Sequence, residues 1–522
     1  MSAFELPDQA PRLFAQERHN EVIIFLGCRR DESPGNYGNP KCARCEQSGI
    51  ECIRTAPRKF RHTVSGASPA GYRTLQYVDE TSKFGDTSPT EMSFPSPKTL
   101  DSSAHAQSLS PLNSDGGTST LFGAFSSHLL VPPHLPWPQT GPKDACLLRY
   151  FVEYLARWFD LCDPERHFVK AIPQLARGSE PLRHAILAVS ARHFSTLPKE
   201  KQGRILEEYG LQQDLAINEE TVIYYHNKCI TDLRALASEP EALMDEILLA
   251  TVVILRFYEE LDSPFIDLPT ETAIHGLHVF VEAQAKLALS TPGLRQAVFW
   301  VGFRQEFHVA FSQQRPIRLP LSITTPYLIW DPAADHIWTN RLLIICAYAL
   351  QYCYDDQPAA PDRYYELIDL HNRWLQCRPP SFSPVYYEPA DHDRGDLFPR
   401  IWYLDDCHIV ASQSLGLLNI LLTAYSPHIP RVGPLCRQSM DIMNAKLRST
   451  VFEICGIALS NRQSPPAFTT LCIAINICGD RFTDLREQQA LMEVLVSTTR
   501  ETNYWPTTVS QTRLKEVWGW HA

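Results

Sequence analysis

Apolar residues recur at three- and four-residue spacing through most of the chain after Lys143, and this periodicity leaves little room for anything but helices. In "DACLLRYFVEYLARWFDL", Leu147, Phe151, Tyr154, Leu155, Trp158 and Leu161 fall on one helical face. "EPLRHAILAVSARHF" repeats the pattern, with Pro181 near the first turn, where its missing N–H costs little. "ETVIYYHNKCITDLRALA" and "PEALMDEILLATVVILRFYEEL" follow as further helical segments. "GLRQAVFWVGFRQEFHVAF" sets Phe299, Phe303, Phe307 and Phe311 four residues apart. More helices are predicted over 336–354, 361–376, 399–425, 435–460, 465–480 and 484–500. Strand-type alternation is nearly absent, and no fixed-period repeat supports a solenoid. The expected fold is mostly all-α, with one large helical domain over 143–522.

A chain of 522 residues is too long for one small core. Its net charge of −11 excludes a general polyanion binder, so any nucleic-acid contact has to come from a local basic segment. "EILLATVVILRF" (Glu246 to Phe257) and "SLGLLNILLTAY" (Ser414 to Tyr425) are too short to span a bilayer and read as buried core helices, so no membrane partner is expected. The N-terminal "MSAFELPDQAPRLFAQERHN" lacks a basic-then-apolar signal layout, which predicts a cytosolic or nuclear chain. In such a compartment disulfides are a poor reading of the cysteines. Cys146, Cys162, Cys229, Cys346, Cys353, Cys377, Cys407, Cys436, Cys455, Cys472 and Cys478 are scattered through apolar segments and read as buried thiols.

The remaining cysteines cluster. "NPKCARCEQSGIEC" places Cys42, Cys45 and Cys52 at C-x2-C-x6-C spacing, and Cys28 lies fourteen positions before Cys42. Two thiolates two residues apart grip one zinc ion from a tight turn, and Cys52 can return to it after Ser48-Gly49. Cys28 can supply the fourth ligand that a protein-only zinc site requires. A basic run follows at Arg54, Arg58, Lys59 and Arg61, with no acidic residue between Ile53 and His62. Residues 1–62 therefore form a first region. Residues 63–142 are rich in Ser, Gly and Pro and are expected to be a disordered linker. Ser-Pro steps at Ser68, Ser88, Ser96 and Ser110 are candidate phosphorylation sites within it.

"PKCARCEQSGIEC" resembles the second half of the fungal Zn(II)2Cys6 zinc-cluster transcription factors, including the proline before the cysteine pair and the Ser-Gly turn. "LLRYFVEYLARWFDLCDPERHF", "LRHAILAVSARHF" and "GLRQAVFWVGFRQEFHVAFSQQRPI" resemble the fungal-specific transcription-factor domain that follows such clusters, over most of Asp144 to Trp520. The resemblance implies a nuclear regulator of RNA polymerase II genes rather than an enzyme. It implies DNA and the transcription machinery as partners, CGG-type sites, and homo- or heterodimers. The family's first C-x2-C-x6-C half is not present here. As first, second or third family cysteine, Cys28 leaves at least two thiolates missing. One zinc ion on Cys28, Cys42, Cys45 and Cys52 is therefore expected rather than two.

The family's base-reading basic helix is also altered. Arg29 and Arg30 are followed by Asp31 and Glu32, and glycine and proline break the segment. Lys41, Arg44, Arg54, Arg58, Lys59 and Arg61 remain as phosphate-contacting candidates, which position a protein on DNA without specifying sequence. "EVIIFLG" stands where the family carries basic residues, through divergence or through a wrong exon boundary. Loss of autonomous DNA binding, with action through a partner, is the alternative reading. A helical small-molecule binder or enzyme is a third.

No nucleophile–base pairing, P-loop, Rossmann or zincin motif occurs in the sequence. "YDDQPAAPD" (Tyr354 to Asp362) reads as an acidic loop, "DHDRGD" (Asp391 to Asp396) as a solvated turn, and "DDCH" (Asp405 to His408) as a helix start. His167, His184, His193 and His308 read as ordinary packed or surface histidines.

Overall fold

The computed structural model describes residues 141–520, apart from short stretches at 213–214, 237–239, 263–271, 320, 356–361, 392–394, 431 and 500–505. Among the described residues the first helix is α1 (Pro142–Tyr150), whose proline occupies the first turn. The sequence pattern would carry this helix to Leu161, but the backbone widens into a π-turn at Phe151–Leu155 and tightens into 3₁₀ turns at Ala156–Trp158 and Asp160–Cys162. Two contacts hold the end of this irregular stretch. Arg304 takes the Phe159 carbonyl at 2.9 Å, and the Asp160 carboxylate turns away to accept the N–H groups of Phe168 and Val169, both at 2.9 Å. Phe151, Leu155, Ala156 and Phe159 are all buried, so this segment is enclosed on more than one side.

Next come α2 (His167–Lys170), α3 (Ile172–Leu175), α4 (Glu180–Thr196), α5 (Lys199–Glu208), α6 (Glu219–Leu236) and α7 (Glu246–Asp262). Ser179 caps α4 through the Leu182 N–H. The apolar run from Pro240 is not continuous. A 3₁₀ turn at Pro240–Met244 ends at Asp245, whose carboxylate accepts the Ile247 N–H at 2.7 Å and starts α7 afresh. Then follow α8 (Thr272–Ser290), α9 (Leu294–Ser312), α10 (Asp335–Tyr354) and α11 (Asp362–Cys377).

The helix predicted from residue 399 starts later. Its first residues form β2 (Arg400–Trp402), paired antiparallel with β1 (Tyr386–Glu388) in the register Tyr386↔Trp402 and Tyr387↔Ile401. Only then does α12 (Asp406–Ala424) begin, capped by Asp405. The chain continues through α13 (Cys436–Ser460), α14 (Pro466–Cys478), α15 (Leu485–Ser497) and α16 (Thr508–Val517). Helices α5, α8 and α16 add to the predicted set, as do the one-turn helices α2 and α3. In α5 only Gln202, Ile205 and Leu206 are buried, too few to set a clear apolar period.

α4 packs on α6 and α7, and α9 packs on α7, α8 and α10. α12 lies between α10 and α13, and α14 rests on α13. Phe299, Phe303, Phe307 and Phe311 are all buried, as their spacing requires. Each such ring removes enough apolar surface to contribute about 1.5–3 kcal/mol. At 19 residues, α12 is long and apolar enough to cross a membrane, whereas the sequence reading, with a helix over 399–425, counted only Ser414 to Tyr425 as its apolar run. Most of it is nonetheless buried within this domain, as for a core helix. The buried-thiol expectation also needs correction: Cys377 is exposed and Cys353 and Cys436 are half-buried, while the other eight described cysteines are buried. Cys377 closes α11, where only Tyr364, Leu367 and Trp374 are buried.

Candidate functional site: an acidic cleft and a small buried chamber

The turns that break the first helix face the starts of α10 and α12 across a cleft of about 1060 Å³. One wall comes from Val152 to Val169, the other from Ala334 to His336 and Leu404 to Ile409, with Gln463 at the edge. Six carboxylates line it: Glu153, Asp160, Asp163, Asp335, Asp405 and Asp406. Arg157 and Arg166 are the lysines' and arginines' whole contribution to its lining. Arg166 holds a left-handed backbone, φ 54°, which side chains other than glycine rarely adopt.

The carboxylates are fixed in different ways. Asp163 bonds His167 Nδ1 at 2.9 Å, and Asp335 bonds His408 Nε2 at 2.8 Å. Glu153 pairs with Arg149 at 2.8 Å and accepts from Tyr209 Oη at 2.7 Å. Burial pushes the Asp160 carboxyl up to about 7 despite its two backbone N–H partners. Burial also raises Asp406, with the Ser464 hydroxyl pulling the other way. Burial favours the neutral acid at Asp163 too, but its bonds from His167 outweigh that and hold it below the ordinary range. His336 is pushed down by burial and so favours the neutral ring. Cys162 and Cys407 sit at the cleft floor in an apolar group with Leu161. Burial raises both thiols, Cys162 to about 11, so neither is a reactive thiolate at neutral pH.

Leu161 and Ile409 also line a second, smaller chamber of about 60 Å³, bounded by α7, α9, α12 and α14. Its walls carry Glu260, Gln305 and Thr469, 4 %, 7 % and 5 % exposed. Gln305 Oε1 and Thr469 Oγ1 have no hydrogen-bond partner, and Glu260 Oε1 lies 3.4 Å from Arg256 Nε without a formed hydrogen bond. Burial pushes the Glu260 carboxyl up to about 7, with Arg256 opposing. His308 is pushed down to about 4 by burial and by Arg304. Arg304 lines the chamber with its guanidinium bonded to the Phe159 carbonyl.

Every residue the sequence reading selected as a metal ligand or DNA contact lies outside the described residues: Cys28, Cys42, Cys45, Cys52, Arg29, Arg30, Lys41, Arg44, Arg54, Arg58, Lys59 and Arg61. So do the linker's Ser-Pro steps and the middle of the Tyr354 to Asp362 loop. "DDCH" is the predicted helix start, but it also supplies Asp405 and Asp406 to the cleft. His184 pairs with Asp232 at 2.6 Å and His193 with Tyr150 Oη at 2.6 Å, in keeping with packed histidines. The cleft itself escaped the sequence reading. Its acids are single residues on separate elements, and only "DLCDPERH" and "DDCH" concentrate any of them. Among the described residues no three His, Cys, Asp or Glu side chains converge closely enough to hold a metal ion.

These features define a mostly helical domain with a charged cleft between its N-terminal turns and the starts of α10 and α12. Residues 146–266 match the family model of the Fungal specific transcription factor domain, which supports a fungal transcription factor. The matched segment supplies one wall of the cleft and Glu260 of the chamber; the other wall lies beyond it. No curated protein and no solved structure matches the chain.

Proposed function

We propose that the chain is a fungal nuclear transcription regulator acting on RNA polymerase II genes. The match of residues 146–266 to the Fungal specific transcription factor domain carries this reading, because that segment follows a zinc-type cysteine cluster and a basic arm in the same chain. In this reading Cys28, Cys42, Cys45 and Cys52 hold one zinc ion. Thiolates are soft ligands that fit zinc, and four of them close a structural site. Arg29, Arg30, Lys41, Arg44, Arg54, Arg58, Lys59 and Arg61 then contact DNA phosphates, and the helical domain supplies regulation and contact with the transcription machinery.

The test is a gel shift of the full chain on CGG-containing duplex, with and without chelator, alongside zinc measured on the purified protein. One zinc per chain and chelator-sensitive binding are expected. Zinc without DNA binding favours the second reading, a regulator recruited through a dimer partner, which the missing first half-cluster motivates. Neither zinc nor DNA binding overturns the assignment of the cysteines.

A further inference from the structure

We propose that the chamber bounded by α7, α9, α12 and α14 binds a short aliphatic monocarboxylate, with its carboxylate on Arg304. Arg304 lines the chamber and is 6 % exposed. Among the described residues it makes no ion pair, and its hydrogen bond goes to the neutral Phe159 carbonyl at 2.9 Å. Two other buried arginines are answered. Arg256 has Glu259 at 3.2 Å and Glu260 at 3.4 Å, and Arg341 lies over the Trp338 ring at 4.5 Å. A guanidinium carries five N–H donors, so most of those on Arg304 are left for a ligand. A charge held out of water without a counter-ion is costly, and an anion in the chamber offsets that cost.

The rest of the lining sets the class of anion. Trp158, Phe159, Phe257, Val301, Ile409 and Val410 surround the space with apolar surface, which suits one carboxylate on a hydrocarbon body rather than a multiply charged anion. The volume of about 60 Å³ has room for roughly four to six non-hydrogen atoms at about 10–15 Å³ each, the size of an acid of about two to four carbons. Val301, Arg304, Gln305 and His308 stand three and four residues apart on α9, so the anchor and part of the apolar wall share one helix face. Gln305 Oε1 and Thr469 Oγ1, without partners, leave places for water or for a hydroxyl on the acid. A cation is disfavoured there, since burial and Arg304 already push His308 down to about 4. Burial pushes Glu260 up to about 7, so at lower pH it is a neutral acid that does not repel a carboxylate. Arg256 and Glu259 are the charges acting on Glu260, and Arg304 and His308 are the other ionisable groups of the lining.

The biological use of the site rests on the regulatory reading above; the binding itself does not. Calorimetry on the full chain, without DNA and in a carboxylate-free buffer, tests it with butanoate, butanamide, n-butylamine and chloride. At about pH 6 butanoate should bind at least about tenfold more tightly than butanamide, its uncharged isostere, and n-butylamine should give no heat. Arg304→Met should weaken butanoate by about tenfold or more. Wild-type affinity should fall about tenfold between about pH 6 and 8.5, as Glu260 ionises and repels the ligand. Glu260→Gln should remove that fall, which keeps the test decisive if the Arg304 variant fails to fold. Absence of butanoate heat at millimolar concentration would mean that the chamber holds water only, and full competition by equimolar chloride that it holds a simple counter-ion. Either result, equal affinity for butanamide, wild-type binding by a folded Arg304→Met chain, or an unchanged pH dependence in Glu260→Gln overturns the proposal. A failed gel shift leaves this site standing, and failure here leaves zinc-dependent DNA binding standing.

Discussion

Arg304 on α9 donates from Nη2 to the carbonyl of Phe159 at 2.9 Å, and both residues are buried. This bond ties the irregular turns after α1 to the central helix. Arg304→Met keeps the apolar stem but leaves a buried carbonyl without its charged donor. The expected cost is about 2–3 kcal/mol, read as a lower denaturant midpoint with an unchanged slope. Arg304→Lys should recover part of it.

Gly456 on α13 is required by contact rather than by backbone angle. A Cβ there would meet the Pro399 carbonyl oxygen and lie 2.9 Å from the proline ring. Gly456→Ala should therefore destabilise by about 1–3 kcal/mol. Gly203, inside α5, has nothing within 4 Å of the same position, so Gly203→Ala should stabilise by about 0.5–1 kcal/mol. Thermal melts of the two variants should move in opposite directions.

His193 is fully buried, and burial pushes it down to about 3. Its folded value lies below the ordinary one, so the unfolded chain takes up a proton first as pH falls. Stability is complete above about pH 6.5 and declines as pH drops toward 4, by up to about 1.4 kcal/mol per unit from this group. His193→Gln should be less stable at pH 7 but show a flatter decline between pH 6.5 and 4. Parallel curves would contradict a neutral buried ring.

Asp160 has the opposite sign. Its folded value is raised to about 7, so the folded state keeps a proton that the unfolded chain has lost. The contribution of this group to stability falls as pH rises from about 4 to 7 and levels above that. Asp160→Asn should gain on wild type across this window, measured as the difference in melting temperature at each pH. A constant difference would mean that the carboxyl is already ionised at pH 4.

The helical class and most of the helix positions were legible because burial on one face leaves a periodic trace. Phe299, Phe303, Phe307 and Phe311 are the plainest example. The trace fails where a segment is enclosed on several sides. Between Phe151 and Cys162 the apolar spacing fits an α-helix, while the irregular turns are held by contacts distant in sequence, such as Arg304 on the Phe159 carbonyl. It fails again at Arg400–Trp402, where a short pairing with Tyr386–Glu388 replaces a helical turn. The cleft was hidden for a related reason. Asp160, Asp335 and Asp406 are unremarkable alone, and only tertiary packing makes them neighbours. The cysteine cluster was the reverse case, a local spacing readable without any fold.

The cleft also sets an order of events during synthesis. Its lining runs from Val152 to Gln463, so a nascent chain cannot complete it until α12 and the turn before α14 have left the ribosome. The cysteine cluster and basic arm emerge hundreds of residues earlier. A ribosome stalled just after α9 would thus hold the Val152–Val169 wall with no opposing wall yet made.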